Sequence, residues 1–230
     1  MSLKNWREWF FIYCMLNLIQ FVILTSIAML FYTGGTHMDP HAPGYSFWHN
    51  FFSDLGRTKA YSGRDNTISY VIFIITFSVY GSGFIFFAIA MPYFFTETKL
   101  EKWLSIIVSF FFILTGILYV GIAFTPGDIY YNAHVTFVQI SGLTGLIGLI
   151  LYIIVIFKSK VYPNRYAFIL LILLVASNIY MVLTVFAVPF QDVTTTSELI
   201  IWTAGQKIMI YLNLICSFII LYGAWKLVKS

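Results

Sequence analysis

Residues 133–157 read AHVTFVQISGLTGLIGLILYIIVIF, a stretch without a single aspartate, glutamate, lysine or arginine. A membrane-spanning helix needs about 20 apolar residues, because each adds about 1.5 Å across about 30 Å of hydrocarbon. The stretch is long enough to cross a bilayer as an α-helix, the form that satisfies its own backbone in lipid. Five more runs of this kind flank it, at about 10–31, 68–95, 103–124, 166–190 and 205–225. Together they predict an all-α integral membrane protein: a six-transmembrane-helix bundle filling 1–230 as a single domain. The last helix is expected to start ahead of residue 205, since Thr195-x-x-Glu198 reads as a capping box.

Composition agrees. Hydrophobic residues make up 60%, charged residues 10%, and the mean hydropathy is +0.87, where a soluble domain carries about 25% charged residues. The net charge of +4 does not indicate a nucleic-acid partner, because the basic residues sit in short loops beside apolar runs. There they set orientation. With the N-terminus inside, the cytoplasmic segments hold Lys4, Arg7, Lys99, Lys102, Lys158, Lys160, Arg165, Lys226 and Lys229, nine of the 13 Lys and Arg, and only three of the nine acids. The rule that cytoplasmic loops are positive gives an N-in/C-in topology. Trp6, Trp9, Trp103 and Trp225 flank the cytoplasmic ends as interfacial aromatics. The first apolar run is too long for a signal peptide and lacks a small-residue cleavage site, so it is expected to be retained. Cys14 and Cys216 both fall inside spans, which argues against a structural disulfide. The expected location is an inner or plasma membrane.

Small residues line parts of the helices. Ser141, Gly142, Gly145 and Gly148 share a face of the fourth span, and Gly81 and Ser82 lie in the second. Such faces let backbones approach closely; packing within the chain is the expected use, with a homo-oligomer or a partner membrane protein as the alternative.

The extracytoplasmic side holds His37, His41, His49 and His134, six acids and a first loop of about 35 residues. Structureless loops of that length are uncommon and usually functional. Within it Tyr45–Gly56 (YSFWHNFFSDLG) alternates like a helix. Phe47, Trp48, Phe51, Phe52 and Leu55 form an apolar face; His49, Asn50, Ser53, Asp54 and Arg57 form a polar one. This predicts an extracytoplasmic interfacial helix over about 45–56, ended by Gly56 in a left-handed conformation. On that helix Asp54 and Arg57 are placed to pair, and His49 to meet Ser53.

The third-to-fourth connection reads FTPGDIYYNAH. Thr125-Pro126-Gly127-Asp128 is turn chemistry, Asp128 or Asn132 can cap the fourth helix, and His134 falls in its first turn, where the helix end disfavours protonation. The candidate ligand-binding residues are therefore His49, Asn50, Ser53, Asp54, Arg57, Asp128 and His134, with Asp54 and His134 as the acid/base candidates. No HExxH, CxxC or nucleophile-elbow pattern occurs, and Pro40 disfavours a helical His37/His41 pair. Any metal would fall to His49, His134 and Asp54; no cofactor is expected.

Gln20, Asn17, Asn178, Gln139 and Asn213 are polar but uncharged within the spans, which suits inter-helix hydrogen bonding better than ion-coupled transport. Lys207, near the outer end of the last helix, is expected to snorkel or to pair with Glu198 or Asp192.

HNFFSDLGRT, YVGIAFTPGD and the following His134 carry a likeness. The chain resembles domain-of-unknown-function family 998, uncharacterised prokaryotic membrane proteins. The family's Ser-Asp/Glu-Leu-Gly motif falls on Ser53-Asp54-Leu55-Gly56. Its Val-Gly-x-Phe-Pro-like segment and downstream histidine fall on Val120-Gly121, Pro126 and His134. More distantly the chain is similar to the DRAM/Frag/Sfk group, which implies a connection to membrane lipids and supplies no catalytic residue. The leading expectation is recognition of a lipid headgroup or small polar ligand at the extracytoplasmic face by an accessory or sensory protein. A lipid-processing hydrolase or transferase and a small transporter are the alternatives.

Overall fold

A computed structural model describes residues 6–229, apart from the side chain of Gln191; Lys4 lies outside the described residues. Six long helices follow in order: α1 (Trp6–Phe31), α2 (Thr67–Ala90), α3 (Lys99–Ala123), α4 (Tyr131–Lys158), α5 (Arg165–Val182) and α6 (Thr196–Lys229). Each coincides with an expected span to within a few residues at most ends, and all six are long and apolar enough to cross a membrane. The chain is a multi-pass membrane protein.

Local chemistry explains where helices stop and start. Pro92 cannot continue the α-helical ladder, so α2 tightens into a 3-10 turn over Met91–Phe94. Ahead of Pro189 the end of α5 widens into a π turn, Leu183–Ala187, closed by Val188 N–H donating to the Leu183 carbonyl at 2.9 Å. The capping box at the head of α6 is present: Thr195 N–H donates to the Glu198 carboxylate at 2.8 Å and Glu198 N–H to the Thr195 hydroxyl at 3.3 Å. That is why α6 starts nine residues before the apolar run at 205.

Helices adjacent in sequence pack side by side, and α6 returns to α1 to close the ring. At one end, called here the inner end, all six helices or their flanking turns bury residues together, among them Phe11, Met91, Val108, Tyr152, Tyr166 and Ala224. At the other end the core is smaller. Phe21, Phe73, Ile122 and Leu214 meet Phe52, Leu55 and Ala60 of the first loop, and neither α4 nor α5 adds a fully buried residue. Three of the glycines pack within the chain. Gly81 of α2 and Gly116 of α3 face each other so closely that a Cβ on either would strike the other's carbonyl, and Gly148 lies under the Phe112 ring. Gly142 has open space beside it. Both cysteines are free and buried.

Candidate functional site: the cap

The first loop folds into a cap over the end of the bundle, and it is not the helix that its alternation suggests. Helical geometry within 45–56 is limited to a 3-10 turn, Phe52–Gly56. Side chains that the pattern assigns to solvent point inward instead: Asn50 is 0% and Asp54 4% exposed. The Asn50 side-chain oxygen accepts from Ser46 N–H at 2.9 Å, and the Asp54 carboxylate accepts from Phe51 N–H at 2.8 Å. Local bonds from Asn and Asp to the main chain compete with the helical ladder, and here they replace it. The 3-10 turn does not end on a left-handed glycine either. Positive φ occurs at Gly34, Gly35 and Gly63 only among the described residues. Gly56 answers a need for space, since a Cβ there would enter the Phe73 ring.

Asn50 is the hub. Its amide nitrogen donates to the Gly35 carbonyl at 3.0 Å and to Asp54 at 3.1 Å, and its own carbonyl accepts from the Lys207 ammonium. Lys207 thus neither snorkels nor pairs with Glu198 or Asp192. It is 0% exposed, donates also to the Thr203 carbonyl at 3.2 Å, and lies 5.2–5.6 Å from the Phe47, Tyr45 and Phe52 ring centres. Two neighbours on the same face of α6 complete the grip: Thr203 donates to the Trp48 carbonyl and Gln206 accepts from Phe52 N–H at 3.0 Å.

Asp54 does not form the expected pair with Arg57. Arg57 stacks over Tyr61 at 4.0 Å and donates to the Lys59 carbonyl. Burial raises the Asp54 carboxyl above the ordinary carboxylate range, against the opposing pull of the Asn50 amide, the Phe51 N–H and the more distant charges of Arg57 and Lys207. His49 bonds Ser46, not Ser53, at 2.7 Å and stays half-buried. Ser53 is half-buried in the 3-10 turn.

Asp128 does not cap α4. It fastens the cap to the α3–α4 connection, taking the Thr58 hydroxyl at 2.6 Å, Thr58 N–H at 3.0 Å and Lys59 N–H at 2.9 Å. Burial alone would raise this carboxyl, but those three donors outweigh it and hold Asp128 below its ordinary value. Asn132 is exposed and caps nothing; α4 starts after Tyr130 without a side-chain cap. His134 is 7% exposed, and its Nδ1 donates to the Thr125 carbonyl at 2.7 Å. A carbonyl can only accept, so in the neutral ring Nε2 carries the lone pair. No hydrogen bond joins Asp54 to His134; Arg57 lies within electrostatic reach of both. Among the described residues no three His, Cys, Asp or Glu side chains gather as metal ligands would.

The third fastening is to the head of α2. Asn66 donates to the Leu55 and Arg57 carbonyls at 3.2 and 2.9 Å, and Ser69 to Leu55 at 3.1 Å. Asn66, Ser69, Thr203 and Gln206 are absent from the expected site. Thr203, Gln206 and Lys207 do leave a signal, a polar stripe at one- and three-residue steps in an otherwise apolar helix. Deeper in the bundle, Asn17 bonds the Val79 carbonyl across to α2, Asn213 accepts from Tyr80 at 3.2 Å, and Asn178 bonds its own helix. Gln20 has both amide atoms enclosed without a partner among the described residues.

Six spanning helices under a stitched cap define a multi-pass integral membrane protein. The profile of one family, described as Protein of unknown function (DUF998), matches residues 26–215. The chain belongs to that family. No curated protein and no solved structure matches it significantly. The match includes the motifs noted in the sequence, and the structure gives them mechanical work. Asp54 and Leu55 supply the bonds just described, Gly56 admits Phe73, Gly121 admits the Phe137 ring, and the Pro126 carbonyl closes the turn by accepting from Tyr130 N–H at 2.8 Å.

Proposed function

We propose that the protein recognises a membrane lipid at its cap end, as an accessory or sensory component rather than as an enzyme, with the cap on the extracytoplasmic side of the cell membrane. The basic residues concentrated at the inner end support that orientation. Of the two acid/base candidates, Asp54 is engaged in holding the fold and shares no hydrogen bond with His134, which favours recognition over catalysis.

One observation carries the reading: an apolar groove of about 280 Å³ between α1 and α6 that leads up to the cap. Leu18, Ile19 and Val22 form one wall and Leu214, Ile215 and Phe218 the other. Tyr211 closes its upper end, stacked on Phe47 at 6.5 Å and edge-on to Phe52 at 6.0 Å. Since both helices are membrane spans, the natural occupant of such a groove is an acyl chain. Its head group would then meet the exposed Trp48 and the half-buried His49 at the cap's edge. A phospholipid with a photoactivatable acyl chain tests this. Crosslinks should concentrate on 18–22 and 211–219 and fall severalfold in Ile215→Trp, which fills the groove. Even labelling of all lipid-facing helices would refute the reading.

A further inference from the structure

Charge at the inner end is sorted by position. Around α1 and the α2–α3 turn, Lys4, Arg7, Lys99 and Lys102 are accompanied in the sequence by Glu8, Glu97 and Glu101. The other corner is different. Lys158, Lys160, Arg165, Lys226 and Lys229 belong to stretches with no acidic residue between Asp128 and Asp192, and none after Glu198. A topology signal needs basic residues anywhere on that end; it does not need them unmatched in one corner.

Packing draws the corner together. The Tyr166 ring, in the first turn of α5, lies directly on Gly223 of α6, where a Cβ would collide with its hydroxyl. Arg165 stands over that ring at 5.1 Å. One turn along α6, Lys226 lies 4.6 Å from the Tyr222 ring and Lys229 4.8 Å from that of Trp225, the two rings being stacked at 5.8 Å. Exposed Lys158 and Lys160 adjoin the start of α5. Cations laid on aromatic faces at a helix end are held at head-group depth.

We infer that this corner, between the start of α5 and the last turns of α6, binds the phosphate of an anionic phospholipid. The site is separate from the cap and does not rest on the function proposed for it. The phosphate takes charge from Arg165, Lys226 and Lys229, while the acyl chains run along the exposed apolar flank of α5, where Phe168 and Ile172 face outward.

The full chain, purified and reconstituted in phosphatidylcholine bilayers with a minor fraction of phosphatidylglycerol, is assayed for the lipids that remain bound. The wild type should retain phosphatidylglycerol in preference. A triple variant, Arg165→Gln with Lys226→Gln and Lys229→Gln, should lower that preference roughly tenfold or more, since each surface cation contributes about fivefold. The control triple, Arg7→Gln with Lys99→Gln and Lys102→Gln, removes the same charge and should leave the preference within about twofold. Should the first triple fail to fold, Lys229→Gln alone carries the test, with an expected loss of about fivefold. Equal losses in the two triples would overturn the inference, as would no preference in the wild type. Release of the lipid by inorganic phosphate would overturn it too, by assigning the corner to a soluble anion.

Discussion

The buried ammonium of Lys207 donates to the main-chain carbonyl of Asn50, 157 residues earlier in the chain, and the amide of Asn50 donates in turn to the carboxylate of Asp54. An enclosed cation and an enclosed acid are held by one asparagine. Lys207→Met keeps the length of the side chain and deletes its donors, so about 1.5–3 kcal/mol of stability should be lost, the usual worth of a hydrogen bond to a charged group. Gln206→Leu, which strips Phe52 N–H of its acceptor, should cost about 1 kcal/mol. Limited proteolysis between residues 45 and 52 and thermal unfolding in detergent measure both. A Lys207→Met protein as resistant as the wild type would show that α6 does not secure the cap.

The two carboxylates of the cap should respond to acid with opposite signs. Asp128, held low in the fold, contributes stability above the unfolded value of about 3.9. That contribution disappears as pH falls through its lowered folded value. Asp54 is raised, so its charge opposes folding, and that cost sets in as pH rises from about 3.9 through its folded value. Asp128→Asn should therefore destabilise at neutral pH and match the wild type in strong acid. Asp54→Asn should gain stability at neutral pH and likewise converge in acid. Unfolding midpoints over a pH series decide the matter, and the reverse order would contradict the environments described.

Three glycines should separate cleanly. Gly81→Ala drives a methyl into the Gly116 backbone and Gly56→Ala drives one into the Phe73 ring. Each should cost about 1–3 kcal/mol through overpacking, the first more because a backbone yields less than a side chain. Gly142→Ala meets nothing within 4 Å and should be neutral or slightly stabilising, helix propensity favouring alanine by up to about 1 kcal/mol. Equal midpoints for all three variants would contradict the packing.

Orientation is open to direct measurement. In a background lacking Cys14 and Cys216, cysteines at the exposed positions Arg64 and Lys160 report on the two ends. An impermeant thiol reagent added to intact cells should label position 64 and spare 160. Labelling of 160 alone would invert the topology.

The helices are legible in the sequence because the signal they need, length without charge, is local and one-dimensional. The capping box at Thr195 and Glu198 is local too, and it places the start of α6 correctly. The cap fails to read for two physical reasons. Asn50 and Asp54 have the spacing of an exposed helical stripe, yet their side chains bond the main chain beside them and turn the strip inside out. The groups that then receive the strip, Thr203, Gln206 and Lys207, lie 154–157 residues away, beyond the reach of any periodicity. Gly56 misleads in a subtler way. A glycine after an apolar run suggests a left-handed helix end, whereas here it makes room for a ring arriving from α2.

The grip of α6 on the first loop also sets an order of assembly. A chain grows from its N-terminus at about 5–20 residues per second, so the first loop is made well before its anchoring side chains. Throughout that interval the Asn50 and Trp48 carbonyls and the Phe52 N–H lack the partners they have in the finished molecule. The helix that seals the first loop is thus made long after it, and a ribosome that stalls before Thr203 would release a protein with five helices inserted and its lid unlatched. Such a product would be recognisable to a quality-control protease by that segment alone.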